Sequence, residues 1–103
     1  MKYRTRESCI KELRRKLGPW NGDTEWLLRI LDELDKENPK FKPRVEAFRR
    51  FWGLTGKLPE SSREIAEDYG VGNQAIYDYC TTTLVRLYQS KWWGKEFEHL
   101  RDP

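Results

Sequence analysis

The sequence of 103 residues has few of the residues that build metal centres or covalent cross-links. It contains one histidine, His99, and two cysteines, Cys9 and Cys80, which lie far apart and form no Cys-x-x-Cys pair. Structural zinc sites need four such ligands, and disulfide frameworks need several paired cysteines, so we expect neither. The sequence predicts two buried thiols in a reducing cytoplasm, with no metal and no cofactor.

Long apolar runs are also missing from the sequence. Apolar residues make up 37% of it and charged residues 36%, and no run is long enough to span a bilayer. No stretch has the pattern of a signal peptide. We therefore expect one soluble, cytoplasmic domain over residues 1–103 that has no membrane partner, with a core rich in aromatic rings.

The net charge of +3 is too small to indicate a nucleic-acid partner by itself. The distribution of charge is more informative, because residues 1–16 and 40–57 are basic whereas residues 23–37 are acidic. Such blocks can form a basic face and an acidic face, or they can simply keep a small helical domain solvated. The sequence leaves both interpretations open.

Apolar residues recur at helical spacing in five segments separated by glycine and proline. The predicted fold is all-α, with about five helices, near residues 6–17, 25–37, 44–52, 61–69 and 73–89. Residues 1–20 form a basic N-terminal helix, 23–60 a helical support, 61–89 a helix-turn-helix and 90–103 an aromatic tail. Asp23 or Thr24 can cap the second helix, and Pro43 suits the first turn of the third.

The last of these segments gives conflicting signals. Its β-branched and aromatic residues favour a strand, but Ile76, Cys80, Thr83 and Leu87 recur every three to four residues. Strands seldom run that long and propensity is a weak guide, so the periodicity predicts a helix.

Enzyme chemistry is not indicated. Asp32, Glu33 and Asp35 form an exposed acidic run on one predicted helix, and no nucleophile, base or metal cluster accompanies them. We expect a charged helix face with no catalytic residues and no small-molecule substrate.

The segment 61–89 has the features of a helix-turn-helix. Ser61 and Glu64 predict a capping box, in which the serine hydroxyl accepts from the amide of Glu64 and the glutamate reaches back to the amide of Ser61. Ala66 allows a second helix to cross closely, and Gly70 tolerates a positive φ in the turn. Val71 and Ile76 are predicted to lock the two helices together.

From residue 44 to residue 88 the chain resembles region four of bacterial sigma factors, which reads the upstream promoter element. The resemblance rests on Phe51-Trp52-Gly53-Leu54, Ser61-Ser62-Arg63-Glu64-Ile65, Tyr69-Gly70-Val71, and the late leucines Leu84 and Leu87. It covers a little under half of the chain. The helix 27–34 also resembles the helix that precedes this region, followed by an insertion at 36–42.

The resemblance implies that the start of the second helix reads bases. The family has arginine and glutamate there, whereas residues 72–78 of this chain contain no arginine or lysine. Asn73 and Gln74 could each bond bidentately to adenine, Tyr77 could reach a phosphate or a thymine methyl group, and Asp78 could accept from cytosine. Affinity would then come from phosphate contacts by flanking residues, namely Arg44, Arg49, Arg50, Lys57, Ser61 and Arg63.

Two functions remain open at this stage. One is a small sigma-like regulator that binds double-stranded DNA as a monomer or homodimer. The other is an interaction protein that keeps the fold but binds RNA polymerase or a sigma factor, since region four also docks on the polymerase. Trp92 and Trp93 are interpreted as closing the core or a dimer contact, with a base-stacking platform as the alternative.

Overall fold

A computed structural model describes residues 5–17, 22–56 and 58–89, and the chain in these ranges is helical with no strand. Five α-helices follow one another: α1 (Arg6–Leu17), α2 (Thr24–Glu37), α3 (Lys42–Phe51), α4 (Ser62–Tyr69) and α5 (Asn73–Gln89). A short 3₁₀ helix, Pro39–Phe41, leads into α3. The predicted all-α fold is confirmed, and the periodicity of residues 73–89 does mark a helix.

Two predicted boundaries were wrong. The third helix begins at Lys42 and ends at Phe51, although the sequence had placed it at 44–52, and the expected linker at 40–42 is largely the 3₁₀ turn. The reason is local, because Pro43 fits the first turn of a helix and lets α3 continue directly from that turn. The N-cap of α2 is Asp23, whose carboxylate accepts from the amide of Trp26 at 3.1 Å.

The core lies between α5 and the helices that surround it. Helix α5 packs mainly on α3 and α4, and it also touches α2. Fully buried side chains come from every helix, among them Leu13, Trp26, Phe48, Ile65 and Ile76. Burying a side chain of this size contributes roughly 1.5–3 kcal/mol, so the aromatic and aliphatic residues of five short helices suffice for one core.

A three-residue turn joins α4 to α5. Gly70 has φ 68° and donates to the carbonyl of Glu67, while the amide of Val71 donates to the carbonyl of Ala66 at 3.1 Å. This is a Schellman motif, which needs a residue that tolerates a positive φ, and glycine supplies it. The turn therefore fixes where α5 begins.

The expected role of Val71 was wrong. Its side chain is 37% exposed, and the residue ties the turn together through its backbone amide, while Ile76 is fully buried as predicted. Only one of the two hydrogen bonds predicted for the capping box at Ser61 is present. The Ser61 hydroxyl accepts from the amide of Glu64 at 3.2 Å, but the Glu64 carboxylate accepts from that hydroxyl at 3.3 Å.

Candidate nucleic-acid interface

The first turns of α5 present the four predicted base-reading residues, Asn73, Gln74, Tyr77 and Asp78, to solvent. Their exposure follows from helical periodicity, because Ile76 and Cys80 turn inward and leave the opposite side of the helix free. Two of the four are tied to each other, since the Gln74 side-chain amide donates to the Asp78 carboxylate at 3.3 Å. The Gly70 turn and the buried side of α5 thus position these polar groups on one face.

Tyr77 is held more firmly than its exposure suggests. Its ring is 47% exposed, yet it meets the edge of Phe51 at the end of α3, with 5.9 Å between ring centroids. An aromatic contact of this kind is worth about 0.5–1.5 kcal/mol beyond the area it buries. The hydroxyl end of Tyr77 is therefore presented on a supported ring.

Arg49 is bound inside the fold. Its side chain is 10% exposed and donates to Asp32 at 2.8 Å, to Asp35 at 3.0 Å and to Glu46 at 3.2 Å. The acidic run predicted to be exposed is therefore partly internal, because Asp35 is only 14% exposed and serves as a counter-ion. With three carboxylates around it, Arg49 does not offer a free charge to a phosphate.

Arg50 also forms ion pairs with carboxylates inside the fold. It makes a two-pronged contact with the Glu60 carboxylate, at 2.8 and 2.7 Å, and a second contact with Asp68 at 2.5 Å. The hydrogen bond to Glu60 is the largest of the causes that raise the pKa of Arg50. The guanidinium clamps α3 to the loop before α4 and to α4 itself, and its charge is balanced there.

The other predicted phosphate-binding residues have different surroundings. Arg63 is exposed on the first turn of α4 and makes no ion pair within the described ranges, so its charge is available. Ser61 is exposed, but its hydroxyl caps α4. Arg44 lies against the rings of Phe41 and Tyr79, on another side of α5 from Tyr77. Lys57 lies outside the described residues, as do Trp92 and Trp93.

Arg86 was not among the predicted site residues. It is the only basic residue of α5, and its guanidinium stacks on Phe41 at 4.7 Å and donates to the Leu34 carbonyl at 3.4 Å. The sequence gives no local signal for this cluster, because Phe41, Arg44 and Arg86 come together only when α3 packs against α5. The exposed face of α5 consequently carries one charge, that of Asp78.

No group of three or more potential metal ligands is found in the part of the chain that the structure describes. Over the same residues, no helix has both the length and the apolar character needed to cross a membrane. Comparison with known proteins returns no significant match to a family model, to a curated protein or to a solved structure.

Proposed function

We propose that this chain is a small helix-turn-helix transcription regulator that reads double-stranded DNA with the start of α5. The observation that carries the proposal is the presentation of Asn73, Gln74, Tyr77 and Asp78 on the solvent side of a helix that directly follows a glycine turn. An α-helix fits the major groove of B-DNA, and amide side chains at its N-terminal end can donate to N7 and accept from N6 on the major-groove edge of adenine.

The electrostatic part of the binding is expected to be weak. With Arg49 and Arg50 balanced by carboxylates, Arg63 is the flanking arginine nearest to solvent that keeps an unpaired charge. Affinity falls with salt by about 0.9 log units per neutralised phosphate, so two or three phosphate contacts predict a slope of roughly −2 to −3. Sequence reading by amides would then contribute an unusually large share of the binding energy.

The experiment is selection of random duplexes by the purified chain, followed by binding at several salt concentrations. We expect an enriched consensus, and replacement of both Asn73 and Gln74 by alanine should abolish preference for it. Each bidentate contact is worth about 1–3 kcal/mol, so discrimination should fall at least tenfold.

Gln89→Ala is the matched control, because Gln89 is an exposed amide at the far end of the same helix, about 22 Å away along its axis. It should leave discrimination unchanged. If the double variant retains the consensus, the assignment of the reading residues is wrong, and if no consensus is enriched, the proposal of DNA reading is wrong.

A second candidate is favoured by the rest of the same helix face. Tyr77, Val85 and Tyr88 are 45–48% exposed on one side of α5, and no basic residue interrupts them. A face with exposed rings and no basic residue suits a protein partner better than a polyanion. Under this candidate the chain binds RNA polymerase or a sigma factor, and Val85→Glu should weaken binding to purified polymerase at least tenfold while Arg63→Gln leaves it unchanged.

A further inference from the structure

A basic cavity lies between the start of α3 and the middle of α5. It has a volume of about 200 Å³ and is lined by Lys40, Pro43, Arg44 and Tyr79. Tyr79 follows Tyr77 by two positions, which places it about 200° further around the helix. The cavity is therefore on the opposite side of α5 from the proposed reading face.

The cations around this cavity differ from Arg49 and Arg50 in having no acidic partners. The Arg44 guanidinium lies 4.8 Å from the centre of the Phe41 ring and 5.6 Å from that of Tyr79. Arg86 stacks 4.7 Å from the same Phe41 ring. Within the described ranges, neither these two arginines nor Lys40 forms an ion pair with a carboxylate, whereas Arg49 pairs with three.

One further feature leaves a donor without a partner beside the Phe41 ring. The Nη1 atom of Arg86 is buried and has no hydrogen-bond partner among the described residues.

We propose that this cavity, which we call the Arg44 pocket, binds a phosphate group. The two cations that line the pocket, Lys40 and Arg44, match the charge of a phosphate dianion, and the fork of an arginine fits phosphate oxygens. The volume is below the roughly 300–1,000 Å³ of pockets that enclose whole small-molecule ligands, so the pocket takes the charged group and leaves the rest of the ligand outside. This site is separate from the reading face and does not depend on the proposed function.

The test is a titration of the ¹⁵N-labelled full chain with sodium phosphate, at ionic strength held constant with sodium chloride. We expect saturable shifts of the amide signals of Arg44 and Tyr79, and sodium acetate should produce much weaker binding. Arg44→Gln should weaken phosphate binding about tenfold, because one charge-assisted contact is lost. Arg29→Gln, an equal change of charge at an exposed position of α2 away from the pocket, should leave it unchanged.

Shifts that grow linearly without saturation, or equal affinity for acetate, would overturn the proposal. Equal phosphate affinity of the wild type and Arg44→Gln would do the same. Lys40→Gln guards against a folding defect in the Arg44 variant, since Lys40 is exposed and its replacement should also weaken binding. Near-ultraviolet circular dichroism of each variant checks that the aromatic core is intact.

A second arm identifies the source of the phosphate by measuring binding to a duplex of random sequence at low salt. If the pocket holds a backbone phosphate, Arg44→Gln weakens duplex binding and inorganic phosphate competes with it. If it holds a phosphorylated small molecule, duplex affinity is unchanged while phosphate affinity falls. Saturable phosphate binding without any duplex binding would refute the proposed function alone, and duplex binding without saturable phosphate binding would refute the Arg44 pocket alone.

Discussion

The cluster of Arg49 with Asp32, Asp35 and Glu46, called the Arg49 cluster, offers the sharpest test of whether internal ion pairs stabilise this fold. Replacing Arg49 by alanine removes the cation that three carboxylates share and leaves them facing one another. The carboxylates differ in what this costs, because Asp32 is 66% exposed and Glu46 46% exposed, whereas Asp35 is 14% exposed. The first two can be solvated by water, and Asp35 is left as a largely buried charge.

The expected loss follows from that difference. Breaking a buried ion pair by removing one partner costs about 3–5 kcal/mol, whereas an exposed pair contributes at most about 1 kcal/mol. One largely buried pair and two exposed ones therefore predict a loss of at least about 3 kcal/mol in the free energy of unfolding. In a domain of about 100 residues this lowers the melting temperature by about 12–24 °C.

Urea denaturation followed by tryptophan fluorescence, with thermal melts by circular dichroism, measures both quantities. Arg63→Ala is the control, since it removes an exposed arginine and should change stability by less than about 0.5 kcal/mol. The double variant Arg49→Met with Asp35→Leu should be more stable than Arg49→Ala, because no largely buried carboxylate is then left without its cation. If Arg49→Ala costs no more than Arg63→Ala, the cluster does not hold α2 to α3.

Two further predictions concern the turns and a tyrosine. Gly53→Ala should cost more than Gly70→Ala, because both have positive φ, at 69° and 68°, but only at Gly53 would a Cβ atom come within 2.8 Å of Pro59. We expect about 1–2 kcal/mol at Gly70 and clearly more at Gly53 in urea denaturation, and equal losses would contradict the steric argument. Tyr69 donates to the Pro43 carbonyl at 2.7 Å, so Tyr69→Phe should cost about 1 kcal/mol. Burial, and after it the charge of Glu46, raises the pKa of Tyr69 above its ordinary value of 10.0. The unfolded chain therefore loses this proton at a lower pH than the folded chain does, so the free energy of unfolding should fall as the pH rises above 10.0. Tyr69→Phe should flatten that decline, and an unchanged alkaline slope would mean that Tyr69 is not its cause.

Local features were predictable from the sequence because their causes are local. Helices α1 and α5 begin and end where periodicity placed them, and the φ of Gly70 follows from the need for a left-handed residue after α4. The exposure of Asn73 and Gln74 follows in the same way, since Ile76 fixes which side of α5 turns inward. The reading function of that face, and its resemblance to sigma region four, stay predictions.

The sequence alone could not show which basic residues form ion pairs. Arg49 and Arg50 are adjacent in an amphipathic helix and look alike in the chain, yet Asp35 of α2 balances one and Glu60 of the loop before α4 balances the other. Arg44, five positions before Arg49, contacts the rings of Phe41 and Tyr79 and forms no ion pair with a carboxylate among the described residues.

The sequence by itself determined the helices, the glycine turn and the polar start of α5, since spacing and caps act within a few residues. Only the tertiary structure decided which of the described arginines form ion pairs inside the fold and which contact rings instead, because an ion pair depends on groups that chain folding brings within 4 Å. Helices α2, α3 and α5 come together from distant parts of the chain, and their packing buries Arg49 among acids while it gathers Arg44 and Arg86 around Phe41.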